Sequence, residues 1–564
     1  MGNLKNAVIN TVIKYKDIFC ILSLIVFCIL FYFIGLGDYR LIDIDETRYI
    51  NIARKMLENK DYITPVLNFE PFLEKPPLYY WLCVISYKIF NSTNEFASRF
   101  PVAFLSSAGV FATYFFVLFI TKSRLFAYLS AGILMSAFWY TLFSHIAILD
   151  LGFVVLTMCA IYFGISTLYV ENETKKKILW YLGYLFIGLS VLQKGLIGII
   201  IPSMVVFITF LIYKRAKEIF RPSYIIPGVI IFLLVTIPWH YLVYKANGEV
   251  WFREYIIKHH FARFIDSSMG IKRKHGFFYY IPIVLGGLLP WSMFFISSVI
   301  KGIKNGVKEN KFISLSLDKR FDGIILFSII YFVSVFVFFS ISSTKLPTYI
   351  LTVFPPVSII TGYLWYGYIK DIKYEKYIKI SGVITLALFL LSGLFGIFYY
   401  GLGYINVGII LALSFFIIPL FGFYFLYKKK KLALWFAFLF LSLSLCFTCP
   451  PLFNFVTSFG QDEIEEYAKI AAGENSENEF ILYDCSKKYS VLNSYNKKPV
   501  HLINGQSKEH KKYFKNTVNS AVKNKEVIYL ITKNKKKYSK NDLKLFTLYK
   551  KGEKYTFYKY SPQK

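Results

Sequence analysis

Two charged clusters follow the first hydrophobic segment, and their residue types could do chemistry. In the first, Asp45, Arg48 and Tyr49 are spaced at i, i+3 and i+4, which places a carboxylate, a guanidinium and a phenol on one side of a helix. In the second, Glu74 and Lys75 precede two prolines, which restrict the backbone and would hold the lysine in one position. A fixed cation near lipid headgroups is a candidate ligand for phosphate.

The first cluster lies on a predicted amphipathic helix from residue 45 to residue 60. Apolar residues recur there at three- and four-residue steps, which is typical of a helix lying along a membrane surface. These residues are Tyr49, Ile52, Ala53, Met56 and Leu57. A purely structural explanation competes, in which Asp43 caps the helix and Glu46 completes a capping box. Asp45 and Arg48 would then form an ordinary surface ion pair. We prefer capping for Asp43 and Glu46.

The composition indicates a polytopic α-helical membrane protein. Of the 564 residues, 56% are hydrophobic and only 18% are charged. A membrane-spanning helix needs about 20 apolar residues, and the hydrophobic pattern predicts about thirteen such segments. They lie near residues 18–36, 100–120, 124–145, 147–169, 178–193, 195–213, 223–243, 277–300, 323–342, 346–369, 377–400, 404–427 and 431–448.

The positions of lysine and arginine predict the orientation. These residues occur in every second short loop, and positively charged loops stay in the cytoplasm. We therefore expect a cytoplasmic N-terminus and two long outer loops, near 37–99 and 244–276, which carry surface helices. The other outer connections contain almost no charge except Lys194 and Lys345. The net charge of +31 is spread over these loops and the outer tail, so nucleic acid is not an expected partner.

We predict two domains, a transmembrane domain over 1–448 and a small α/β domain over 449–564 outside the cytoplasm. The tail alternates segments with helical and strand-like periodicity. Helices are predicted at 462–472 and 508–522, and strands at 480–483, 499–503, 527–532, 543–549 and 554–560. Cys446 and Cys449 form one CxxC motif, for which helix packing is favoured over a disulfide, and no second pair completes a zinc site.

Three motifs in fixed order resemble the bacterial lipid A aminoarabinose transferases, which are related to the protein O-mannosyltransferases of the GT-C glycosyltransferases. They are the Asp45-Glu-x-Arg48-Tyr49 stretch, the Glu74-Lys75-Pro-Pro segment and Lys345-Leu-Pro-Thr-Tyr349. The resemblance extends over the whole chain, and it implies a GT-C fold. It is specific for the family and much less so for the sugar.

The resemblance implies transfer of a sugar from undecaprenyl phosphate to a phosphate of lipid A, with inversion at the anomeric carbon. The sugar would be an amino sugar such as 4-amino-4-deoxy-L-arabinose. The reaction would take place on the periplasmic face of the bacterial inner membrane. The expected partners are the undecaprenyl-phosphate donor, lipid A or another lipid acceptor, and membrane lipids.

The resemblance also implies roles for single residues. Asp45 resembles the catalytic carboxylate and Asp150 a second acidic residue of the site. The other matching positions would bind the substrate or the carrier phosphate: Arg48, Tyr49, Glu74, Lys75, Lys194, His260, Arg263, Lys345 and Tyr349. The alignment of the second outer loop is looser, so His259 and Arg253 compete with His260 and Arg263.

Some questions stay open at this point. Galactosamine or another hexose could replace aminoarabinose, and the acceptor could be a protein hydroxyl. Asp45 could act as a base, or it could orient the acceptor or stabilise charge at the sugar. A divalent metal near Glu74 and His260 is possible in this family, but two ligands do not predict a metal site, and we expect none for catalysis. A transporter or flippase is a distant alternative, because the unusual charges collect at one face and no repeat is visible.

Overall fold

The computed structural model describes thirteen stretches of the chain. They are residues 18–42, 45–67, 70–262, 275–309, 320–342, 344–371, 374–394, 405–447, 462–471, 479–484, 500–502, 508–534 and 543–561. The chain divides into two compact units. The first contains residues 1–36, 73–79 and 99–449, and the second contains residues 37–72, 80–98 and 450–564.

The chain up to residue 262 is mostly helical. Its helices are α1 (Ile18–Tyr32), α2 (Asp45–Asn59), α3 (Leu78–Phe90), α4 (Glu95–Thr121), α5 (Arg124–Ser136), α6 (Phe138–Ser144), α7 (Leu149–Ser166), α8 (Glu173–Lys194), α9 (Ile197–Ile212), α10 (Ala216–Ile219) and α11 (Pro222–Trp251). Between α2 and α3, β1 (Val66–Leu67) pairs antiparallel with β2 (Glu70–Pro71). A 3-10 turn, Thr167–Tyr169, follows α7, and a π-helix, Phe252–Ala262, follows α11.

The second half of the first unit continues this pattern. After a 3-10 turn at Phe277–Tyr279 come α12 (Tyr280–Gly287), α13 (Ser292–Glu309) and α14 (Arg320–Ile341). A further 3-10 helix, Pro347–Val353, leads into α15 (Phe354–Ile369), α16 (Glu375–Ser392), α17 (Ile405–Tyr427) and α18 (Lys431–Cys446).

Helices occupy the segments that hydropathy predicts to span a membrane. Among the described residues, five helices are long and apolar enough to cross by themselves. The bent pair α5 and α6, which meet at 61°, would be a sixth. Thirteen crossings therefore stay a prediction. Cys449 lies outside the described residues, and so does part of the predicted packing role of the CxxC motif.

Aromatic packing holds the centre of the first unit. Trp291 is fully buried, and its ring lies 6.1 Å from that of Trp365 and 5.9 Å from that of Trp435. Its indole N–H donates to Ser136 Oγ at 2.9 Å, so the polar edge of the ring is satisfied inside the apolar core. These contacts join α5, α15 and α18 to the loop before α13.

The second unit contains a five-stranded sheet. Its strands are β3 (Glu479–Asp484), β4 (Val500–Leu502), β5 (Val527–Lys533), β6 (Thr547–Lys551) and β7 (Tyr555–Tyr560), in the order β4-β3-β5-β7-β6. Strands β4, β3 and β5 are parallel to one another, and β7 pairs antiparallel with β5 and β6. Helix α19 (462–471) and helix α20 (Lys508–Lys523) complete the segment. Each predicted element is present within a few residues.

Alternation along β5 explains why helices cover both faces of this sheet. Side chains of successive strand residues point to opposite faces. Tyr529 and Ile531 pack with α19, while Ile528 and Leu530 pack with α20. On the α19 side, burial raises the pKa of Tyr467 to about 12, so its hydroxyl stays protonated and donates to the Tyr555 carbonyl at 3.2 Å.

Candidate functional site

Among the described residues of the first unit, two predicted site residues, Asp150 and Lys194, form an ion pair. Lys194 Nζ lies 2.6 Å from Asp150 Oδ1, and the two side chains are only 13% and 14% exposed. Asp150 lies in the first turn of α7 and Lys194 in the last turn of α8, where each charge is favoured by the helix dipole. Because α7 and α8 pack side by side, these two helix ends meet.

Two glycines position this pair. Gly195 ends α8 directly after Lys194, with a φ of +86° that favours glycine, and its N–H donates to the Val191 carbonyl at 2.8 Å. Gly152 lets α8 approach α7, since a Cβ there would lie 2.7 Å from Gln193 Nε2. Gln193 is fully buried, and its amide donates to the Leu149 carbonyl at 2.9 Å. A hydrogen bond thus joins Gln193, the neighbour of Lys194, to Leu149, the neighbour of Asp150.

Aromatic rings surround the ammonium group of Lys194. Its Nζ lies 5.0 Å from the centre of the Tyr349 ring and 5.1 Å from that of Phe153, both within the range of a cation–π interaction. Tyr349 belongs to the 3-10 helix that begins at Pro347, and its ring lies 5.5 Å from that of Phe339. The cation is therefore held in place by one carboxylate and two rings, and it does not extend to the surface as a snorkelling lysine would.

Lys345 precedes the same 3-10 helix and is also buried. Its side chain is 5% exposed, and Nζ donates to the Ser342 carbonyl at 2.7 Å. The carbonyl of the next residue, Leu346, accepts a hydrogen bond from the hydroxyl of Tyr280 at 3.2 Å. The structure therefore brings Asp150, Lys194 and Tyr349 together and places Lys345 four residues before that tyrosine.

Glu74 and Lys75 also belong to the first unit. They lie in the turn between β2 and α3, and both are half-buried. Pro76 and Pro77 are buried, and α3 begins at the next residue.

In the second unit, α2 carries the first charged cluster. Asp45 is exposed and forms an ion pair with Arg48, whose Nη1 lies 3.5 Å from Asp45 Oδ1. The Arg48 guanidinium also lies 5.8 Å from the centre of the Phe72 ring. Tyr49 is buried instead, with its ring 6.1 Å from that of Tyr80. The predicted alignment of Asp45 and Arg48 is confirmed, whereas Tyr49 belongs to the packed face of the helix.

Glu46 takes part in the structure of the helix start. Its Oε2 accepts a hydrogen bond from the N–H of Ile42 at 2.7 Å, and its side chain is 1% exposed. Glu46 thus stabilises the start of the helix through the N–H of Ile42, whereas the bond to the N–H of Asp43 that a capping box requires stays a prediction. Asp43, the other residue of the capping interpretation, lies outside the described residues.

The second outer loop is only partly described. The π-helix includes positions 259 and 260, but the side chains of His259 and His260 lie outside the described residues, as does all of Arg263. Arg253 is exposed. The imidazole Nδ1 of His240 donates a hydrogen bond to the Thr236 carbonyl at 2.7 Å, and the ring lies among aromatic rings that include Trp251 and Tyr255. In the described stretches, no three His, Cys, Asp or Glu side chains form a metal-binding group.

Comparison with known proteins decides the family. The sequence profile of dolichyl-phosphate-mannose-protein mannosyltransferases matches residues 18–256. An uncharacterized protein of Aquifex aeolicus is 30% identical over 366 residues, which are 64% of this chain and 68% of that protein. The undecaprenyl phosphate-alpha-4-amino-4-deoxy-L-arabinose arabinosyl transferase of Photorhabdus laumondii is 28% identical over 372 residues, 65% of this chain. The chain belongs to the aminoarabinose transferase-like family, related to the protein O-mannosyltransferases.

The match between this chain and the Photorhabdus relative covers 63% of the length of that relative. A crystal structure of ArnT from Cupriavidus metallidurans bound to undecaprenyl phosphate aligns with a TM-score of 0.77 and 20% identity, over 96% of this chain and 99% of that one. The apo form of the same protein aligns with a TM-score of 0.73. The fold of this family member is therefore the GT-C fold, as the three motifs predict.

Asp150 and Lys194 are both predicted as site residues from the sequence, but their contact is not, and neither are the roles of Gln193, Gly152 and Phe153. The signal for the contact was faint: an acidic residue that starts one helix, and a lysine that ends the next. Antiparallel neighbours joined by a short connection bring such ends together. That rule identifies the pair only once the helix ends are known.

Proposed function

We propose that this chain is an inverting glycosyltransferase that moves a sugar from undecaprenyl phosphate to a phosphate of lipid A. The sugar is an amino sugar such as 4-amino-4-deoxy-L-arabinose, and the reaction takes place on the periplasmic face of the bacterial inner membrane. The buried ion pair of Asp150 and Lys194 beside Tyr349 carries the proposal, because it fixes a cation in an apolar setting. Curated relatives named as undecaprenyl phosphate-alpha-4-amino-4-deoxy-L-arabinose arabinosyl transferases support it.

The proposed reaction exchanges one bond for another at C1 of the sugar. The bond between C1 and the carrier phosphate breaks, and the electron pair leaves with undecaprenyl phosphate. An oxygen of the acceptor phosphate forms the new bond to C1 from the opposite face, which inverts the configuration. Negative charge grows on the departing phosphate, and preorganised cations in a site of low dielectric stabilise it without having to reorient.

We assign this stabilisation to lysines and to the groups around them. Lys194 is held ready by Asp150, and Lys345 is buried in the connection between α14 and α15. The proposed substrate- and carrier-binding residues are Arg48, Tyr49, Glu74, Lys75, Lys194, His260, Arg263, Lys345 and Tyr349. Asp150 acts through Lys194 in this scheme, because its carboxylate fixes the ammonium group.

Asp45 is the proposed catalytic carboxylate. It is exposed at the start of α2, with Arg48 as its ion-pair partner. A phosphate acceptor is already ionised at neutral pH, so the carboxylate need not remove a proton as it would from a hydroxyl. Its proposed role is to orient the acceptor or to stabilise positive charge that develops at the sugar. No step of the scheme requires a metal ion.

The test is transfer by the purified protein in detergent. Lipid A is incubated with undecaprenyl phosphate carrying aminoarabinose, galactosamine or another hexosamine, and the product is read by mass spectrometry. The proposal expects one added sugar mass on lipid A and a loss of the donor. If no amino sugar donor adds mass to lipid A, the lipid A acceptor is wrong.

A protein acceptor is the second candidate, and the match of residues 18–256 to a protein mannosyltransferase profile favours it. Such an enzyme would transfer the sugar to a hydroxyl, and Asp45 would then serve as a general base. Serine- and threonine-containing peptides in the same assay distinguish the two acceptors. Mass added to the peptide and none to lipid A would favour this candidate.

A further inference from the structure

An open groove lies at the other end of the helices that carry the ion pair. It has a volume of about 680 Å³ and runs between α4, α7 and the start of α8. Most of its lining is apolar, and Phe115, Phe119, Phe163 and Leu179 are among these residues. Phe115 is 50% exposed and Phe119 37% exposed, so the groove opens outward from the helices. Its volume is in the range of about 300–1,000 Å³ that is usual for ligand sites.

Two cations stand at one end of this groove. Lys122 follows the last residue of α4, and Arg124 is the first residue of α5. The ammonium group of Lys122 lies 4.9 Å from the centre of the Phe119 ring, so it stands directly over the apolar lining. No carboxylate is among the described residues that line the groove.

The first turn of α8 adds positive charge next to the same groove. Lys175, Lys176 and Lys177 directly precede the segment that contributes Leu179. The acidic residue of that turn, Glu173, accepts a hydrogen bond from the Tyr224 hydroxyl at 2.7 Å and so contacts α11. With Lys122 and Arg124 in its lining, this end of the groove is suited to an anion.

The length of the groove matches one leaflet of a membrane. From Ala112 to Lys122 the chain is helical almost throughout, which at about 1.5 Å per residue gives a depth of about 15 Å. The hydrocarbon core of a bilayer is about 30 Å thick, so this depth is about half of it. A ligand with a charged head at Lys122 and Arg124 and an apolar tail reaching the level of Ala112 would fit these dimensions.

We propose that this groove binds an anionic phospholipid of the leaflet on the lysine-rich side of the protein. The lipid phosphate lies between Lys122 and Arg124, whose guanidinium can bind two phosphate oxygens at once. One acyl chain fills the apolar lining. Basic pockets between transmembrane helices are suited to anionic headgroups.

This site is separate from the proposed transfer reaction. Asp150 lies in the first turn of α7, whereas the α7 residues of the groove, from Cys159 to Ser166, lie in its second half. The bound lipid contributes to the packing of α4, α7 and α8 and takes no part in the chemistry. The site can therefore be tested without any activity assay.

The experiment is native mass spectrometry of the purified full chain with phosphatidylglycerol or phosphatidylcholine of identical acyl chains. Phosphatidylglycerol is expected to bind at least about tenfold more tightly. Lys122→Gln and Arg124→Gln should each weaken its binding about fivefold, since one cation near a headgroup contributes on this scale. Lys217→Gln is the matched control, because it removes the same charge from another lysine-rich loop that does not line the groove.

Two further measurements test the groove itself. Ala112→Trp places a ring in the apolar lining with both cations intact and should abolish the preference for phosphatidylglycerol. Glycerophosphoglycerol, the headgroup without acyl chains, should not compete at concentrations where the lipid saturates the protein. Equal binding of the two lipids, unchanged binding in both glutamine variants, or full competition by the headgroup would each overturn the proposal.

Discussion

Lys194 carries its charge in a setting where an unpaired charge would be costly. Its side chain and that of Asp150 are almost completely shielded from solvent, and two aromatic rings lie against the ammonium group. A charge removed from water needs a partner, and removing one member of such a pair leaves the other uncompensated. We therefore expect stability to depend on this pair and, in the proposed reaction, carrier binding to depend on Lys194, and mutations can separate the two effects.

Single and double substitutions of the pair can separate the effect on stability from the effect on carrier binding. Lys194→Ala and Asp150→Asn should each lower the free energy of unfolding by about 3–5 kcal/mol, and the double variant by less than the sum, because it leaves no lone charge. Lys194→Ala and the double variant should both raise the KM for the carrier about tenfold or more, since a hydrogen bond to a charged group is lost. Thermal unfolding in detergent and steady-state kinetics measure the two effects. The control is Lys88→Ala, which replaces an exposed lysine on α3. An unchanged KM in Lys194→Ala would show that Lys194 does not bind the carrier.

Substitution of Asp45 should lower turnover and leave the stability of the protein almost unchanged. Its ion pair with Arg48 is exposed, so Asp45→Asn should change the free energy of unfolding by no more than about 1 kcal/mol. The turnover rate should fall at least about 100-fold, because the substitution keeps the size of the side chain and removes the charge. Asp61→Asn, an exposed residue of the same outer loop, should keep normal turnover. Retained turnover in Asp45→Asn would exclude the catalytic role.

At the scale of elements, Gly152 sets the distance between α7 and α8. In Gly152→Ala the new methyl group would meet the Gln193 amide at 2.7 Å and Leu105 Cδ1 at 3.1 Å, so Gln193 must move away from the Leu149 carbonyl. The expected loss is about 1–3 kcal/mol, with a reduced turnover because Lys194 follows Gln193 directly.

Gly183→Ala is the matched control for that substitution. It lies on α8, where a Cβ would have its nearest neighbour at an ordinary 3.6 Å. Alanine is the better helix former, so this variant should be neutral or more stable by up to about 1 kcal/mol. If both variants unfold at the same temperature as the parent chain, close packing at Gly152 does not position the pair.

The elements also mark the limit of prediction from sequence. The helix from Asp45 and the spacing of Asp45 and Arg48 follow from local periodicity, and both were predicted. The 61° bend between α5 and α6 was not predicted, because it occurs at Ala137 inside a single predicted membrane span, 124–145, and hydropathy does not indicate a bend within a span. The contact of Asp150 with Lys194 joins residues 44 positions apart. Such a contact depends on the packing of whole helices, which spacing along the chain does not encode.

For the whole molecule, the distribution of lysine and arginine predicts how the chain is oriented in the membrane. Lysine and arginine cluster in alternate loops, so these loops should all lie in the cytoplasm. The outer loops and the tail should then lie in the periplasm, on the same side as Asp45. This arrangement needs an odd number of crossings between the N-terminus and the sheet of the second unit.

Reporter fusions in cells measure this arrangement. Alkaline phosphatase, which is active only outside the cytoplasm, should be active when fused after residues 92, 247 and 561. Green fluorescent protein, which is fluorescent only inside, should be fluorescent when fused after residues 172, 214 and 430. A complete reversal of both patterns would invert the orientation and place Asp45 in the cytoplasm, away from a periplasmic acceptor. If one apolar segment does not cross, every fusion beyond it would change sides, and the first discordant fusion would show where that segment lies.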